Sequence, residues 1–199
     1  MGKIYYILGK SSTGKDTIYK RILENEGLGL DSIVMYTTRP IRDGEQHQKT
    51  YHFVTETEFY RLNKEGSVIE ARAYQTVHGI WRYFTVNDGQ IDLEKKSYLA
   101  IGVLQSYLST RQYFGETRVI PIYIEVDDGI RLQRALDREK MPENQKYTEL
   151  CRRFLADAAD FSEEKIRAAQ IERRFINDNL ESCIAEVEQY ILKDQEFSE

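Results

Sequence analysis

The chain has 199 residues, of which 41% are hydrophobic and 31% are charged, a composition typical of a globular protein and not of a disordered one. Its length fits one domain that buries a substantial apolar core. Its 28 basic and 33 acidic residues give a net charge of −5, so no overall positive field attracts nucleic acid or an anionic membrane. We therefore expect no partner of either class.

Cysteine usage and hydropathy indicate a reducing compartment. Cys151 and Cys183 lie far apart in the sequence and lack the spacing of a metal site, which favours two reduced thiols. No apolar run approaches the ~18 residues of a membrane span, and the first residues lack a signal-peptide profile. We predict a cytoplasmic protein, and a homodimer is compatible with the sequence.

The first elements in chain order predict a strand, a glycine-rich loop and a helix. Residues 3–8, "KIYYIL", form a short apolar run that ends at Gly9, which is typical of a buried strand. Residues 15–27 carry apolar side chains at helical spacing, and Gly27 is a natural stop for that helix. Residues 32–36, "SIVMY", predict the next strand.

The middle of the chain changes character before the apolar runs resume. Residues 37–86 are polar and rich in aromatic side chains, with hairpin-like pieces and one helix predicted over 56–64, so we interpret them as a small insertion. Residues 97–102 and 119–126 then predict buried strands, with a helix over about 103–111 between them.

The last third of the chain predicts a long charged helical region over 128–172, a short strand over 173–178 and an amphipathic helix over 180–192. Strands that alternate with helices imply a mostly parallel sheet that is covered on both faces. We therefore predict an α/β protein whose parallel sheet has about five strands.

Residues 9–17, "GKSSTGKDT", carry the spacing of a phosphate-binding loop: glycine, four residues, glycine and lysine. A loop between a strand and a helix points several backbone N–H groups at one spot, where the helix dipole also favours an anion. Lys15 adds a positive charge for the β and γ phosphates of a nucleotide. The alternative is a glycine-rich helix start without a ligand. The predicted nucleotide-binding residues of the loop are Gly9, Ser11, Ser12, Thr13, Gly14, Lys15, Asp16 and Thr17.

The residue after the loop lysine is unusual. This position normally holds serine or threonine, whose hydroxyl binds magnesium, but here it is Asp16, followed by Thr17. Aspartate also offers the hard oxygen ligand that Mg²⁺ prefers. Either Asp16 binds the metal, or Thr17 takes over the hydroxyl role, or Asp16 only stabilises the helix N-terminus, by ~0.3–1 kcal/mol. We favour a metal role and predict an Mg²⁺ site at these two residues.

The segment "YTTRPIRDGEQHQKTYHFV", residues 36–54, resembles guanylate kinase. The resemblance extends over most of the chain, through the glycine loop, "VIEARA", an arginine-rich helical region and "FINDNL". It implies the P-loop nucleoside monophosphate kinase fold, the cofactors ATP and Mg²⁺, and phosphoryl transfer from ATP to GMP. It also implies one domain with a core (1–36, 87–127 and 163–199), a mixed β/α acceptor-binding insertion (37–86) and a helical lid (128–162).

The resemblance assigns an acceptor site to the insertion. Arg39 and Arg42 are three residues apart, close enough for two guanidinium groups to converge on one phosphate. By resemblance, these arginines and Tyr51 hold the 5′-phosphate of the acceptor nucleotide, and Glu70 matches the glutamate that reads guanine. The alternative is a solvated basic turn. The predicted acceptor-binding residues are Arg39, Arg42, Tyr51, Glu70, His78 and Tyr83.

Base recognition departs from the family pattern. Met35 stands where the family has a serine, and "AIG", residues 100–102, replaces an acidic stretch at a strand end. Removing hydrogen-bonding partners erases the discrimination that they provide, so the identity of the base stays open. Trp81 and His78 form a different base pocket, or are ordinary packing residues. In the family, the acidic residues that this sequence lacks lie near the metal. Asp16 could therefore compensate for their absence.

Arginines of the predicted lid could neutralise a transferring phosphoryl group. Arg131, Arg134 and Arg138 share one helix face, and Arg152 and Arg153 follow on the next helix. By resemblance, Arg134, Arg138 and one of the last two contact the phosphates, and we assign Arg152. The alternative is a solvated, ion-paired helix face. The predicted catalytic residues are Lys15, Arg39, Arg134, Arg138 and Arg152.

A last predicted contact follows the final strand. Asn177 in "FINDNL" resembles the family residue beside the adenine of ATP, at a strand end where open sheets bind ligands. Asp178 or Asn179 could instead serve only as the cap of the next helix.

The sequence therefore predicts an ATP-dependent nucleoside monophosphate kinase. One alternative is a guanylate kinase-like binding module that has lost catalysis. Another is a kinase for a different nucleotide or small phosphorylated acceptor, which the altered base pocket would suit. Retention of Lys15 and of the lid arginines favours an enzyme.

Overall fold

The computed structural model describes residues 1–76, 79–140 and 146–196. In chain order, the elements of these residues are β1 (Ile4–Leu8), α1 (Lys15–Glu24), a short 3-10 helix (Glu26–Leu28), β2 (Leu30–Ser32), β3 (Tyr36–Thr37), β4 (His52–Phe53), α2 (Glu56–Lys64), β5 (Val68–Thr76), β6 (Gly79–Val86), β7 (Ser97–Gly102), α3 (Leu104–Phe114), β8 (Val119–Glu125), α4 (Asp128–Glu139), α5 (Tyr147–Asp160), α6 (Glu163–Ala168), β9 (Arg174–Ile176) and α7 (Leu180–Glu196).

Five parallel strands form the central sheet, in the order β2-β7-β1-β8-β9. Parallel neighbours need crossover connections, which the helices supply. The last residue of β1, Leu8, pairs in register with Gly102 of β7 and Tyr123 of β8. The loop that follows β1 therefore emerges at the carboxyl edge of the sheet, where ligands bind in open α/β sheets.

The central strand β1 is buried on both faces, which explains its unbroken apolar sequence. Because side chains alternate along a strand, Ile4, Tyr6 and Leu8 pack in one cluster, with side chains of α3 and α6. Tyr5 and Ile7 pack in the other cluster, with side chains of α1 and α7. Helices therefore cover both faces of the sheet, as the sequence predicts.

A second sheet lies within the residues predicted as the insertion. Its four strands have the order β4-β3-β6-β5, in which β5 and β6 form an antiparallel pair. Phe59 of α2 packs on Phe84 and Val86 of β6, and these three residues form a hydrophobic cluster of their own. The small sheet thus has its own core beside that of the central sheet.

The strand predicted over 32–36 is wrong, because it is not continuous. β2 ends at Ser32 in the central sheet, and β3 begins at Tyr36 in the second sheet. Between them, the Val34 N–H donates to Gln90 Oε1 at 2.8 Å, and the Val34 carbonyl accepts from Gln90 Nε2 at 3.2 Å. A side-chain amide therefore satisfies the backbone groups that a neighbouring strand would otherwise bind.

The predicted helices and the remaining core strands are confirmed, with shifts of a few residues at their ends. The described part of the helical region predicted over 128–172 consists of α4, α5 and α6. No helix within the described ranges combines the length and the apolar character needed to cross a membrane.

Candidate active site

The glycine loop between β1 and α1 has the close contacts that its sequence requires. Gly14 precedes α1 with a φ of 84°, and Ser12 has a φ of 64°. A Cβ atom at Gly14 would lie 2.6 Å from Asn177 Nδ2, and one at Gly9 would lie 2.4 Å from the carbonyl oxygen of Ile124. Glycine is required at these two positions, because a side chain would collide with the backbone of β8 at Gly9 and with the Asn177 side chain at Gly14, where φ is also positive.

The loop is held in shape by buried hydrogen bonds. Thr13 Oγ1 donates to the Lys10 carbonyl at 2.9 Å, and Asn177 Nδ2 donates to the Thr13 carbonyl at 2.7 Å. Asn177 is 2% exposed. Its side chain lies under the loop, where it supplies the donor that the Thr13 carbonyl needs. The contact with adenine, which the resemblance implies, stays a prediction.

The lysine and the two predicted metal ligands begin α1. Lys15 is mostly buried, whereas the Asp16 side chain is 85% exposed, and Lys15 Nζ lies 3.5 Å from Asp16 Oδ2. Thr17 is also exposed. Mg²⁺ in phosphate-transfer sites is commonly held by one or two protein oxygens together with the substrate phosphates. An exposed carboxylate and hydroxyl beside a phosphate loop fit that pattern. Among the described residues, no group of three or more His, Cys, Asp or Glu could hold a metal by itself.

The arginines of α4 lie against the loop in different ways. Arg138 Nη2 donates to Ser12 Oγ at 3.3 Å, and Arg134 Nη2 donates to the Asn177 carbonyl at 3.1 Å. Arg131 is fully buried, and its Nη1 donates to the Ser11 carbonyl and to Asp157 Oδ2, both at 3.2 Å. Arg138 therefore lies nearest the open side of the loop, while Arg131 joins the loop to α4 and α5.

The structure brings Arg153, rather than Arg152, to the loop. Arg153 lines a cleft that it shares with Ser11, Ser12 and Arg138. The Arg152 side chain is 61% exposed and its Nη2 pairs with Glu149 at 2.7 Å. Successive residues of a helix point about 100° apart, since a turn holds 3.6 residues, so only one of the two can face the loop.

The acceptor-binding residues predicted around Arg39 do come together. Arg39 is 4% exposed, its Nε donates to Tyr83 Oη at 3.0 Å, and its guanidinium carbon lies 5.2 Å from the Tyr51 ring centre. Its Nη1 and Nη2 donate to the two carboxylate oxygens of Glu45 at 2.7 and 2.5 Å. These hydrogen bonds lower the pKa of Glu45 to about 2 and raise that of Arg39.

Glu45 is a site residue that the sequence reasoning missed, although it lies in the quoted "TTRPIRDGE" segment. Its Oε2 also accepts from the Arg42 backbone N–H at 2.9 Å. The Arg42 side chain is exposed, and its guanidinium carbon lies 5.8 Å from the Trp81 ring centre. Arg39 is thus already engaged by a carboxylate, and Arg42 is the more accessible of the two arginines. His78, predicted beside them, lies outside the described residues.

Glu70 lies at the inner side of the small sheet. It is 5% exposed, and its Oε1 accepts from Thr85 Oγ1 at 3.0 Å. Burial raises the pKa of Glu70. Thr85 lines a mainly apolar cleft, which is also lined by Met35, Ala100 and Ile101. The two sequence departures at "SIVMY" and "AIG" therefore face the same space.

Comparison with known proteins identifies the family. A family model described as guanylate kinase matches residues 1–194. The chain belongs to the guanylate kinase family. This family member is 33% identical to the guanylate kinase of Thermotoga maritima over 146 residues, which are 69% of this chain and 67% of that protein. It is 25% identical to the guanylate kinase of Porphyromonas gingivalis over 194 residues, or 96% and 97% of the two chains.

The fold agrees with the family. The crystal structure of guanylate kinase from Anaplasma phagocytophilum superposes with a TM-score of 0.65 at 23% identity, over 98% of this chain and 86% of that one. The five-stranded parallel sheet with its helices is the P-loop nucleoside monophosphate kinase fold. The protein is thus a guanylate kinase-like member of the nucleoside monophosphate kinases.

Proposed function

We propose that the protein transfers the γ-phosphoryl group of ATP to the 5′-phosphate of a nucleoside monophosphate, with GMP as the acceptor. The observation that supports this most is the phosphate loop, with Lys15 at the start of α1 and Arg138 lying 3.3 Å from Ser12. A lost catalytic site would not need a lysine and lid arginines around the loop.

The reaction forms one bond and breaks one. An oxygen of the acceptor phosphate attacks the γ-phosphorus, and the bond from that phosphorus to the β–γ bridging oxygen breaks, which leaves ADP. A phosphate monoester has a second pKa of about 6, so the acceptor is already ionised near neutral pH. No general base is required, and the protein contributes positioning and charge neutralisation.

The role that we propose for each residue follows from its position in the site. The loop N–H groups and Lys15 bind the β and γ phosphates, and Arg138 and Arg153 neutralise charge on the transferring group. Arg42 and Tyr51 bind the acceptor phosphate, and Arg39 positions Tyr83 beside them. Asp16 and Thr17 are the residues that would hold Mg²⁺, which supplies charge neutralisation at the β and γ phosphate oxygens when bound.

We also propose that the insertion, 37–86, and the lid, 128–162, close over the substrates. Closure excludes water, which would otherwise accept the phosphoryl group from ATP. The cytoplasmic location and a homodimer stay predictions from the sequence.

An assay of ADP formation over the common ribo- and deoxyribonucleoside monophosphates tests the proposal. We expect the highest kcat/KM with GMP, and Lys15→Ala should abolish turnover while Lys20→Ala, on the same helix but exposed, should not. ATP binding without phosphorylation of any nucleotide would overturn the proposal. Turnover of only another phosphorylated compound would support the kinase with a different acceptor.

A further inference from the structure

Two opposite charges lie side by side next to the apolar cleft. Glu70 and Arg72 are two residues apart on β5, so their side chains lie on the same face of the strand. Glu70 Oε2 lies 3.3 Å from Arg72 Nε, and only 2% and 11% of the two side chains are exposed. The sequence reasoning singled out Glu70 alone, although the alternation of β5 would have placed Arg72 beside it.

The pair leaves hydrogen-bonding capacity unused. Within residues 1–76, 79–140 and 146–196, neither Glu70 Oε2 nor Arg72 Nε has a hydrogen-bond partner. Arg72 Nη2 lies 3.6 Å from the sulfur of Met35, which is a weak acceptor. Met35 and Thr85, the neighbours of the pair, both line the cleft. Buried polar atoms without partners are costly, and a ligand in this cleft could satisfy both.

We propose that Arg72 recognises O6 and N7 of a guanine base, next to Glu70, which accepts hydrogen bonds from N1–H and N2–H₂. The inference rests on the proposed function, with GMP as the acceptor. A guanidinium fork matches the two neighbouring acceptors O6 and N7, and a carboxylate matches two neighbouring donors. Arg72 thereby supplies a polar contact beside a cleft in which the side chains of Met35, Ala100 and Ile101 offer none.

The order of groups around the base explains the choice of guanine. Along one edge of guanine the polar groups follow as N2–H₂, N1–H, O6 and N7, so two donors adjoin two acceptors. A carboxylate and a guanidinium 3.3 Å apart present two acceptors beside two donors, which is the complementary order. Adenine carries an amino donor at position 6, which would face Arg72, and an N1 acceptor, which would face Glu70. The pair therefore favours guanine and disfavours adenine.

Two nucleotides that each differ from GMP at one group test the two contacts separately. 6-thio-GMP replaces O6 by sulfur, a weak acceptor, and IMP lacks only the N2 amino group. We expect kcat/KM of the unaltered protein to fall about 10- to 100-fold for each of them relative to GMP, since each removes a partner of a buried charged group. This comparison needs no variant.

Variants should then show a crossed pattern. Arg72→Met should lower kcat/KM for GMP about 10- to 100-fold and leave that for 6-thio-GMP little changed, so that their ratio approaches one. The ratio of kcat/KM for GMP to kcat/KM for IMP should not change in this variant. Glu70→Gln should reduce the discrimination against IMP and keep the discrimination against 6-thio-GMP. Arg72→Lys should retain part of the preference, since it keeps the charge without the fork.

Arg82→Met is the matched control. Arg82 lies on the neighbouring strand β6 with 19% of its side chain exposed, but its Nε pairs with Glu56 of α2 at 3.0 Å. Its removal should affect GMP, IMP and 6-thio-GMP equally, because it contacts α2 and not the cleft. Melting temperature and ATP binding, measured for every variant, show that it is folded.

The outcomes separate the inference from the proposed function. Equal loss of activity toward GMP and 6-thio-GMP in Arg72→Met shows a merely structural role and overturns the inference, while GMP remains the acceptor. Equal use of the two nucleotides by the unaltered protein overturns it as well. If Arg72→Met does not fold, the inference is tested by the preference for GMP over 6-thio-GMP in the unaltered protein and in Arg72→Lys. Failure to phosphorylate any nucleotide overturns the proposed function, and the inference with it.

Discussion

The Ser11 backbone N–H donates a 2.8 Å hydrogen bond to Asp157 Oδ2, which fixes a carboxylate of α5 against the phosphate loop. The same carboxylate oxygen accepts from Arg131 Nη1 at 3.2 Å. The ring of Phe154 packs on the Arg131 guanidinium, with its centre 4.2 Å from the guanidinium carbon. The predicted lid and the loop are thus joined through one buried ion pair. The negative charge of Asp157 also lies where a nucleotide would bring more negative charge.

Replacing this carboxylate should strengthen ATP binding. Asp157→Asn keeps an oxygen that can accept from the Ser11 N–H but removes the negative charge. Two unit charges about 4 Å apart in water interact with an energy of about 1 kcal/mol, so the loss of repulsion toward the phosphates should be of this size. We expect the Kd for ATP, measured by calorimetric titration, to fall about fivefold. Asp160→Asn, at the exposed end of the same helix, should leave the Kd unchanged. Weaker binding by Asp157→Asn would show that the carboxylate is needed to shape the loop.

The two neighbouring arginines of α5 should differ sharply in their effect on turnover. Arg153→Ala should lower kcat by about 100-fold or more, which is the usual cost of losing one group that stabilises transition-state charge. Arg152→Ala should stay within about twofold of the unaltered protein, because that side chain is 61% exposed and pairs with Glu149. Steady-state kinetics with GMP and ATP measure both. The reverse order would restore the assignment made from the sequence resemblance.

The Arg39–Glu45 pair should make stability depend on acidic pH. The pKa of Glu45 falls from an ordinary 4.5 to about 2 in the folded protein, so its contribution is complete above about pH 4.5. It is lost as the pH falls through about 2, because the protonated carboxyl no longer pairs with Arg39. Thermal unfolding should therefore separate the unaltered protein from Glu45→Gln most at neutral pH and least near pH 2. A difference that stays constant with pH would contradict this.

Asp16 should affect the magnesium requirement without affecting stability. Its side chain is 85% exposed, so Asp16→Asn should leave the melting temperature nearly unchanged. A metal role predicts a severalfold higher Mg²⁺ concentration at half-maximal rate, because a carboxylate binds this hard cation better than an amide. The comparison variant is Thr17→Val, which removes the neighbouring hydroxyl. If only Thr17→Val shifts the magnesium curve, the hydroxyl and not the carboxylate serves the metal.

The parts of the fold that local sequence determines were predictable. The runs at 97–102 and 119–126 form buried strands because a strand covered on both faces must be apolar throughout. The glycine spacing also permits the backbone turns of the loop locally. The break at Val34 was not predictable, because the amide that replaces a strand partner there comes from Gln90, 56 residues away.

In the candidate site, too, some features were predictable from the sequence and others were not. The family resemblance grouped Arg39, Tyr51 and Tyr83, and the structure places them together, since they lie on neighbouring strands or beside them. It could not decide between Arg152 and Arg153, because the rotation of α5 about its axis depends on which of its side chains pack on α4. It also could not show that Asn177 is buried under the loop, which only the position of β9 determines.

The bond between Asn177 and Thr13 has a consequence for biosynthesis. Asn177 follows Thr13 by 164 residues, and its own backbone N–H binds the Glu125 carbonyl at 2.9 Å. A nascent chain that has not yet delivered β9 from the ribosome therefore carries the whole glycine motif without the brace that shapes it. The ability to hold a nucleotide should arise only once β9 has emerged and Asn177 has reached Thr13.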